Sequence, residues 1–254
     1  GRLLWHLYLE EVELGLISAQ GGLADNAIPR ETVVRVLVAP EKKEGFVSAV
    51  TAFEQELKAE LATKDPDFCI VIKECGAAQQ KAITGNEFVV TAAFLNALPN
   101  GVQAMSADVE GLVETSLNLG ILSVNETGFS ASFSVRSSVE CSKKALIEKL
   151  MSVVVLAGGE AEVEGDYPGW SYRVNSPLRD KMITLYQEMY GETPKVEAIH
   201  AGLECGLLAS KIADLDCVSF GPNMYNIHTT EEKLSISSAK RVWEYLLEVL
   251  KEKD

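Results

Sequence analysis

Short apolar runs alternate with one amphipathic stretch in the first part of the chain. Residues 11–18 alternate apolar with polar positions and residues 28–38 are rich in β-branched side chains, so both stretches predict strands. A helix is predicted next, and residues 68–73 predict a short strand after it. The helix rests on apolar residues at helical spacing, which are Phe46, Val50, Phe53, Leu57 and Leu61.

The middle of the chain repeats this order. Residues 113–122 and 128–135 predict a hairpin around Asn125-Glu-Thr-Gly128. A helical stripe from Leu146 to Val154 follows, ended by Gly158-Gly159, and residues 160–164 predict a last strand. Together these elements predict an α+β sandwich with helices on one face of an antiparallel sheet.

The pattern changes after Tyr167-Pro-Gly-Trp170. Helices are predicted at residues 178–190, 203–211 and 237–251, with short strands at 195–199 and 216–220 between them, an order that predicts an α/β unit with a parallel sheet. Residues 1–6 look like the middle of a helix, so we expect the chain to be a fragment of a longer protein. We predict that residues 21–166 are a domain inserted into an incomplete α/β domain, formed by residues 1–20 and 167–254.

The charge and the cysteine content of the chain argue against several classes of partner and site. The chain has 254 residues with 37 acidic and 23 basic side chains, a net charge of −14 that argues against nucleic acid and anionic membrane as partners. Its five cysteines include no C-x-x-C pair, which argues against a disulfide framework or a structural zinc knot. A reducing, cytoplasmic location is expected.

Two of the three histidines fall in one glycine-rich, acidic stretch. His228 follows a loop at the end of a predicted strand, where open α/β sheets bind ligands, so it is either a metal ligand or a surface histidine. His200 and Glu204 lie across a strand-to-helix turn. There Glu204 is either a charged partner in a polar site or a glutamate that the helix dipole favours.

Two further polar residues are candidates for binding a substrate. Asn26 lies in a turn entering a strand, which is either a plain hinge or a place to donate a hydrogen bond to a carbonyl. Arg136 ends a strand, where its guanidinium can bind a carboxylate in a forked geometry or form a surface ion pair. Cys205, in the same turn as Glu204, is a weaker candidate for a reactive thiol.

Taken together, these segments resemble the aminoacyl-histidine (Xaa-His) dipeptidases, a carnosine-cleaving group of the co-catalytic zinc metallopeptidases. The resemblance spans nearly the whole chain in family order. The matching segments are Gly21-Gly22, Asp25-Asn-Ala-Ile-Pro-Arg30, Met105-Ser106, Glu114-Thr-Ser-Leu-Asn-Leu119, Ser134-Val-Arg136, Tyr167-Pro-Gly-Trp170, His200-Ala-Gly-Leu-Glu-Cys-Gly206, Ser219-Phe-Gly-Pro-Asn223 and His228-Thr-Thr-Glu-Glu232.

The resemblance implies a ferredoxin-like lid inserted into an α/β catalytic domain that binds two zinc ions, with a homodimer formed through the lid. It implies hydrolysis of small dipeptides by a zinc-bound hydroxide. His228 matches a zinc ligand, Arg136 the residue that holds the substrate carboxylate, and Asn26 a lid residue near the substrate. His200 and Glu204 would line the same region.

The remaining ligands and the general base of the family have no match here, so no catalytic residue is assigned. Hydrolysis needs a metal-activated water and a base, and we therefore expect the 254 residues by themselves to bind zinc poorly and to be inactive. The alternatives are a non-catalytic dimerisation or interaction domain derived from the family, and a related amidohydrolase such as a deacylase.

Overall fold

A computed structural model describes residues 1–197, 203–227 and 229–251. Helices and strands are mixed along the chain, as the sequence predicts. The helices are α1 (Arg2–Leu9), α2 (Lys43–Leu61), α3 (Gly85–Ala97), α4 (Glu140–Leu156), α5 (Pro177–Tyr190), α6 (Glu204–Lys211) and α7 (Ile236–Leu250). The strands are β1 (Gly15–Gly21), β2 (Thr32–Leu37), β3 (Gly101–Met105), β4 (Val113–Asn125), β5 (Gly128–Ser137), β6 (Met224–Tyr225) and β7 (Lys233–Leu234).

Strands β1 to β5 form one sheet in the order β2-β1-β4-β3, with β5 also pairing with β4. Strand β1 is antiparallel to both of its neighbours, with Ala19 opposite Val34 in β2 and Val124 in β4. The predicted hairpin is confirmed, because β5 follows β4 after a two-residue turn and pairs with it. The antiparallel part of the fold therefore matches the pattern of the sequence.

The chain divides into two compact units. The first comprises Gly1–Gln103, Ser116–Val135 and Ser142–Val163. Its core joins α1, α3, β1 and β4 through Leu4, Phe88, Leu16 and Val124, each at most 5% exposed. Burying each of these side chains stabilises the fold by about 1.5–3 kcal/mol. Helix α3 is absent from the sequence prediction, because its residues are apolar on all sides and show no amphipathic stripe.

The second unit comprises Ala104–Thr115, Arg136–Cys141 and Glu164–Asp254. Its core lies between α5 and α7, where Met182 and Leu185 pack with Tyr245 and Val249. The Tyr245 hydroxyl donates to the carbonyl oxygen of Met182 at 2.6 Å, which satisfies the one polar atom that this side chain buries. All three helices predicted in this part of the chain are confirmed.

Three predicted strands are wrong, because residues 68–73, 160–164 and 216–220 form no strand. Each segment lacks a neighbouring strand in the described part of the chain. In the first, the Ile70 N–H instead donates to the Glu54 carboxylate at 3.1 Å. In the last, Val218 packs on the core of the second unit, so its side chain is held without a β ladder.

The predicted parallel sheet is therefore not formed by the described residues of the C-terminal region. Residues 195–197 form no strand, and the rest of the predicted strand at 195–199 lies outside the described residues. The strands found there are β6 and β7, an antiparallel pair of two residues each. The predicted division at residues 20 and 166 stays a prediction.

Candidate substrate-binding site

Asn26 lies at an exposed turn in the first unit. The side-chain amide of Asn118, in β4, donates to the carbonyl oxygens of Asp25 and Ala27 at 3.3 and 2.8 Å. The Asn26 N–H donates to the Asp25 carboxylate at 2.8 Å. These bonds fix the backbone on both sides of Asn26 while its side chain stays exposed.

Two glycines allow this turn to lie flat on β4. A Cβ added at Gly120 would lie 2.1 Å from the Asp25 carbonyl oxygen, and one added at Gly22 would lie 1.7 Å from the Gly120 carbonyl oxygen. Gly22 also has a φ of +82°, a conformation that other residues rarely adopt. The close approach therefore requires glycine at both positions, and it sets where Asn26 is presented.

Arg136 is exposed near the end of β5, in the second unit. Among the described residues no carboxylate forms an ion pair with it. The neighbouring Ser137 hydroxyl shares a hydrogen bond of 2.8 Å with the hydroxyl of Thr115, which is 3% exposed. The backbone that carries Arg136 is thus anchored, and the guanidinium stays available for a carboxylate ligand.

The Tyr167–Trp170 segment packs against the end of β5. A Cβ added at Gly169 would lie 2.7 Å from the Ser137 carbonyl oxygen. The Gly169 N–H donates to the Glu140 carboxylate at 3.4 Å, and the Ser171 hydroxyl donates to the Ser138 carbonyl oxygen at 2.7 Å. Glycine at position 169 is therefore what lets the two backbones meet.

Helix α6 packs on the same segment from its first turn. A Cβ added at Gly206 would lie 2.7 Å from the Pro168 carbonyl oxygen. Glu204 is exposed at the start of this helix, where a negative charge is favoured. Partial burial raises the pKa of Tyr167, and the nearby carboxylate of Glu204 raises it further. Tyr167 therefore stays protonated beside Glu204 at neutral pH.

The Tyr167–Trp170 segment thus supports Arg136 on one side and Glu204 on the other, within one unit. Asn26 belongs to the first unit. His200 and His228 lie outside the described residues, so their predicted roles stay predictions.

The described residues do not fit a zinc site. They contain no group of three or more His, Cys, Asp or Glu side chains placed to hold a metal ion. No chemical step is therefore assigned to a metal held by them.

Two supporting residues were missed by the sequence prediction. Ser176 caps α5 by accepting from the Arg179 N–H at 3.1 Å, and its hydroxyl donates to the Asp216 carboxylate at 2.6 Å. Asp216 also accepts from the Leu178 N–H at 3.0 Å. The Ser176 hydrogen bond is the main reason that the pKa of Asp216 is lowered. Ser176-Pro177 is a recognisable helix start, but nothing local indicates Asp216 as its partner.

Comparison with known proteins identifies the family. Residues 12–252 match the model of Peptidase family M20/M25/M40. The chain is 36% identical over 245 residues to the cytosol non-specific dipeptidase of Escherichia coli (strain K12), covering 96% of this chain and 50% of that protein. The crystal structure of aminoacylhistidine dipeptidase from Vibrio alginolyticus superposes with a TM-score of 0.89 and 34% identity, covering 100% of this chain and 52% of that one.

The chain therefore spans about half the length of the relatives it matches. No described helix is long and apolar enough to cross a membrane. The family match covers most of the sequence, and the chain belongs to the M20/M25/M40 family of peptidases.

Proposed function

We propose that this chain supplies the dipeptide-binding side of a zinc-dependent, Xaa-His-type dipeptidase of the M20 family. Family membership and the two dipeptidase relatives support a peptidase. The observation that carries the binding role is the shared support of Arg136 and Glu204 by the Tyr167–Trp170 segment. The exposed guanidinium of Arg136 and the exposed carboxylate of Glu204, both held by this segment, suit a ligand that carries a negative charge at one end and a positive charge at the other.

A dipeptide at neutral pH carries a carboxylate at one end and an ammonium group at the other. We assign the carboxylate to Arg136, whose planar guanidinium can donate two parallel hydrogen bonds. We assign the ammonium group or a histidine side chain of the substrate to Glu204. For Asn26, which belongs to the first unit, the proposal is only that its side-chain amide can donate to a substrate carbonyl.

The metal belongs to the complete site of the family. We propose that His228 contributes one zinc ligand and that His200 lines the substrate region beside Glu204. A bound zinc would supply the activated water for hydrolysis. Because the family's other zinc ligands and its general base have no match in the sequence, the 254 residues by themselves are expected to bind a dipeptide more readily than they cleave it.

Binding can be measured by titrating Ala-His into the chain in a calorimeter, with a chelator present to remove stray metal. Arg136→Ala removes a charge-assisted pair of about 1.5–3 kcal/mol, so affinity should fall by about tenfold or more. Arg35→Ala is the matched control, since Arg35 is also an exposed strand arginine but lies in β2 of the first unit. Equal losses from both variants would refute the assignment of Arg136.

The ligand panel separates the proposed function from a related amidohydrolase. An N-acetylated amino acid keeps the carboxylate but has no ammonium group. A dipeptidase site should prefer Ala-His, and Glu204→Gln should reduce this preference. A preference for the N-acetylated compound would support a deacylase instead.

We also propose that the ferredoxin-like lid mediates a homodimer, in a protein that is cytoplasmic like the relative named for the cytosol. Strand β2 ends the order of the described sheet, and Val33 and Val34 on it are 52% and 36% exposed. An edge strand with apolar side chains is a ready pairing surface. Sedimentation should show a dimer that Val33→Lys dissociates. A stable dimer in that variant would exclude this edge.

A further inference from the structure

Helix α6 has little apolar packing of its own. Among its residues only Gly206 is buried, while Leu207 and Leu208 are 41% and 50% exposed. In the described part of the chain, no residue of α6 belongs to the apolar core of the second unit. Helices in proteins are stabilised mostly by the packing of an apolar face. The position of α6, which carries Glu204, must therefore depend on other contacts.

Arg173 makes such contacts just beyond the end of this helix. Its Nη1 donates to the carbonyl oxygens of Asp214 and Leu215, at 3.0 and 3.5 Å. Its Nε donates to the carbonyl oxygen of Asn175 at 2.9 Å, within its own segment. The guanidinium thus bridges two stretches of backbone that are far apart in sequence.

The turn that Arg173 contacts directly continues α6. The helix ends at Lys211, and the chain changes direction at Asp214, which has a φ of +60°. Because so few residues lie between them, fixing this turn fixes the end of the helix. The first turn of α6 is held separately, by the close approach of Gly206 to the Pro168 carbonyl oxygen.

Both contacts come from one segment, and it is long enough to hold both ends of α6. The helix has eight residues and is therefore about 12 Å long. Pro168 and Arg173 are five positions apart, a separation that spans up to about 17 Å in an extended chain. The same segment packs on the end of β5, beside Arg136. One segment therefore sets the spacing between Glu204 and Arg136.

We propose that Arg173 is a positioning residue that determines which length of peptide the site selects. By holding the far end of α6, it keeps Glu204 at a fixed distance from Arg136. Each added residue lengthens an extended peptide by about 3.3–3.6 Å, so a fixed distance favours dipeptides over tripeptides. This length selectivity rests on the proposed function, whereas the support of α6 by Arg173 does not.

The hydrogen bonds to the backbone, and not the ion pair of Arg173, are expected to hold the turn. The guanidinium lies 3.0 Å from the Asp214 carboxylate, but the Asp214 side chain is 88% exposed, and exposed ion pairs contribute little. Asp214→Asn removes this ion pair and keeps the carbonyl oxygens, and asparagine readily adopts a positive φ. It is therefore the matched control for Arg173→Ala.

Hydrogen exchange measured by mass spectrometry tests the support of α6 without any ligand. Arg173→Ala should accelerate exchange in residues 204–211, and Asp214→Asn should exchange like the native chain. Exchange in α5 should stay the same in both variants, which shows that the second unit is folded. Equal exchange in α6 of the native chain and of Arg173→Ala would overturn the proposal.

Calorimetric titration with Ala-His and with Ala-Ala-His tests the length selectivity. The native chain and Asp214→Asn should prefer Ala-His. In Arg173→Ala this preference should fall by about tenfold, the effect of losing one charge-assisted hydrogen bond to the shorter peptide. An undiminished preference in Arg173→Ala would refute the role in selectivity. If the native chain binds neither peptide, the proposed function fails and the selectivity fails with it, while the exchange result still decides whether Arg173 holds α6.

Discussion

Replacing Gly206 with alanine tests the contact that holds α6 on the Tyr167–Trp170 segment. Two effects oppose each other. Alanine favours a helix over glycine by up to about 1 kcal/mol. The new Cβ, however, would lie 2.7 Å from the Pro168 carbonyl oxygen, a backbone atom that cannot rotate away. Overpacking of this kind costs about 1–3 kcal/mol. The net expectation is therefore a loss of stability of up to about 2 kcal/mol.

Gly45→Ala is the matched control. Gly45 occupies the third position of α2 as Gly206 does of α6, and a Cβ there meets nothing within 4 Å. Gly45→Ala should therefore be stabilised by the higher helix propensity of alanine, with no steric clash to oppose it. The two variants should thus differ by about 1–3 kcal/mol, the cost of the contact.

Urea unfolding followed by circular dichroism measures the difference. In a protein of this size the difference corresponds to a melting-temperature gap of several degrees, at about 2–4 °C per kcal/mol. Binding of Ala-His should weaken in the Gly206 variant only. Equal stabilisation by both substitutions would refute the close packing of α6 on Pro168.

Two further predictions concern the supports of the site. The pKa of Asp216 is lowered in the folded chain, mainly by its hydrogen bond with Ser176. The ionised carboxylate therefore stabilises the folded chain above the unfolded pKa of about 4, and this stabilisation is lost as pH falls through the folded pKa. Thermal unfolding at a series of pH values should show that Asp216→Asn loses less stability than the native chain as pH falls below about 5, and an equal loss in both would contradict this role. Asn118→Ala removes both amide hydrogen bonds that fix the Asn26 turn, so hydrogen exchange in residues 24–27 should accelerate while exchange in α5 does not change. Unaltered exchange in the turn would show that the Asn118 amide does not hold it.

The helices with clear stripes were predictable from sequence. Helices α2, α5 and α7 carry apolar residues at helical spacing, and α5 also begins with Ser176-Pro177, a cap followed by a favoured first residue. Helix α3 was not predicted, because its apolar residues are spread around the helix axis and form no single apolar face.

Strand prediction failed where an extended segment found no partner. The β-branched content of residues 68–73 and the apolar residues of 216–220 favour an extended backbone, but a strand also needs a second strand in register. In the described chain the Ile70 N–H bonds a carboxylate, and the Asp216 side chain bonds Ser176. These hydrogen-bond partners lie far apart in the sequence, so the local sequence does not indicate them.

The candidate site was predictable in part. Arg136 and Glu204 stand out as charged residues beside a strand end and a helix start. Their common support was not predictable, because it depends on close approaches at Gly169 and Gly206 to residues far apart in sequence.

Zinc content, measured by elemental analysis with Ala-His hydrolysis assayed in the same purified sample, tests the central claim most directly. The claim is that these 254 residues bind the dipeptide while the catalytic metal pair needs ligands that the described residues do not supply. The account predicts less than one zinc ion per chain and no hydrolysis. About two zinc ions per chain with turnover would contradict it, because a two-metal site would then be complete within this sequence.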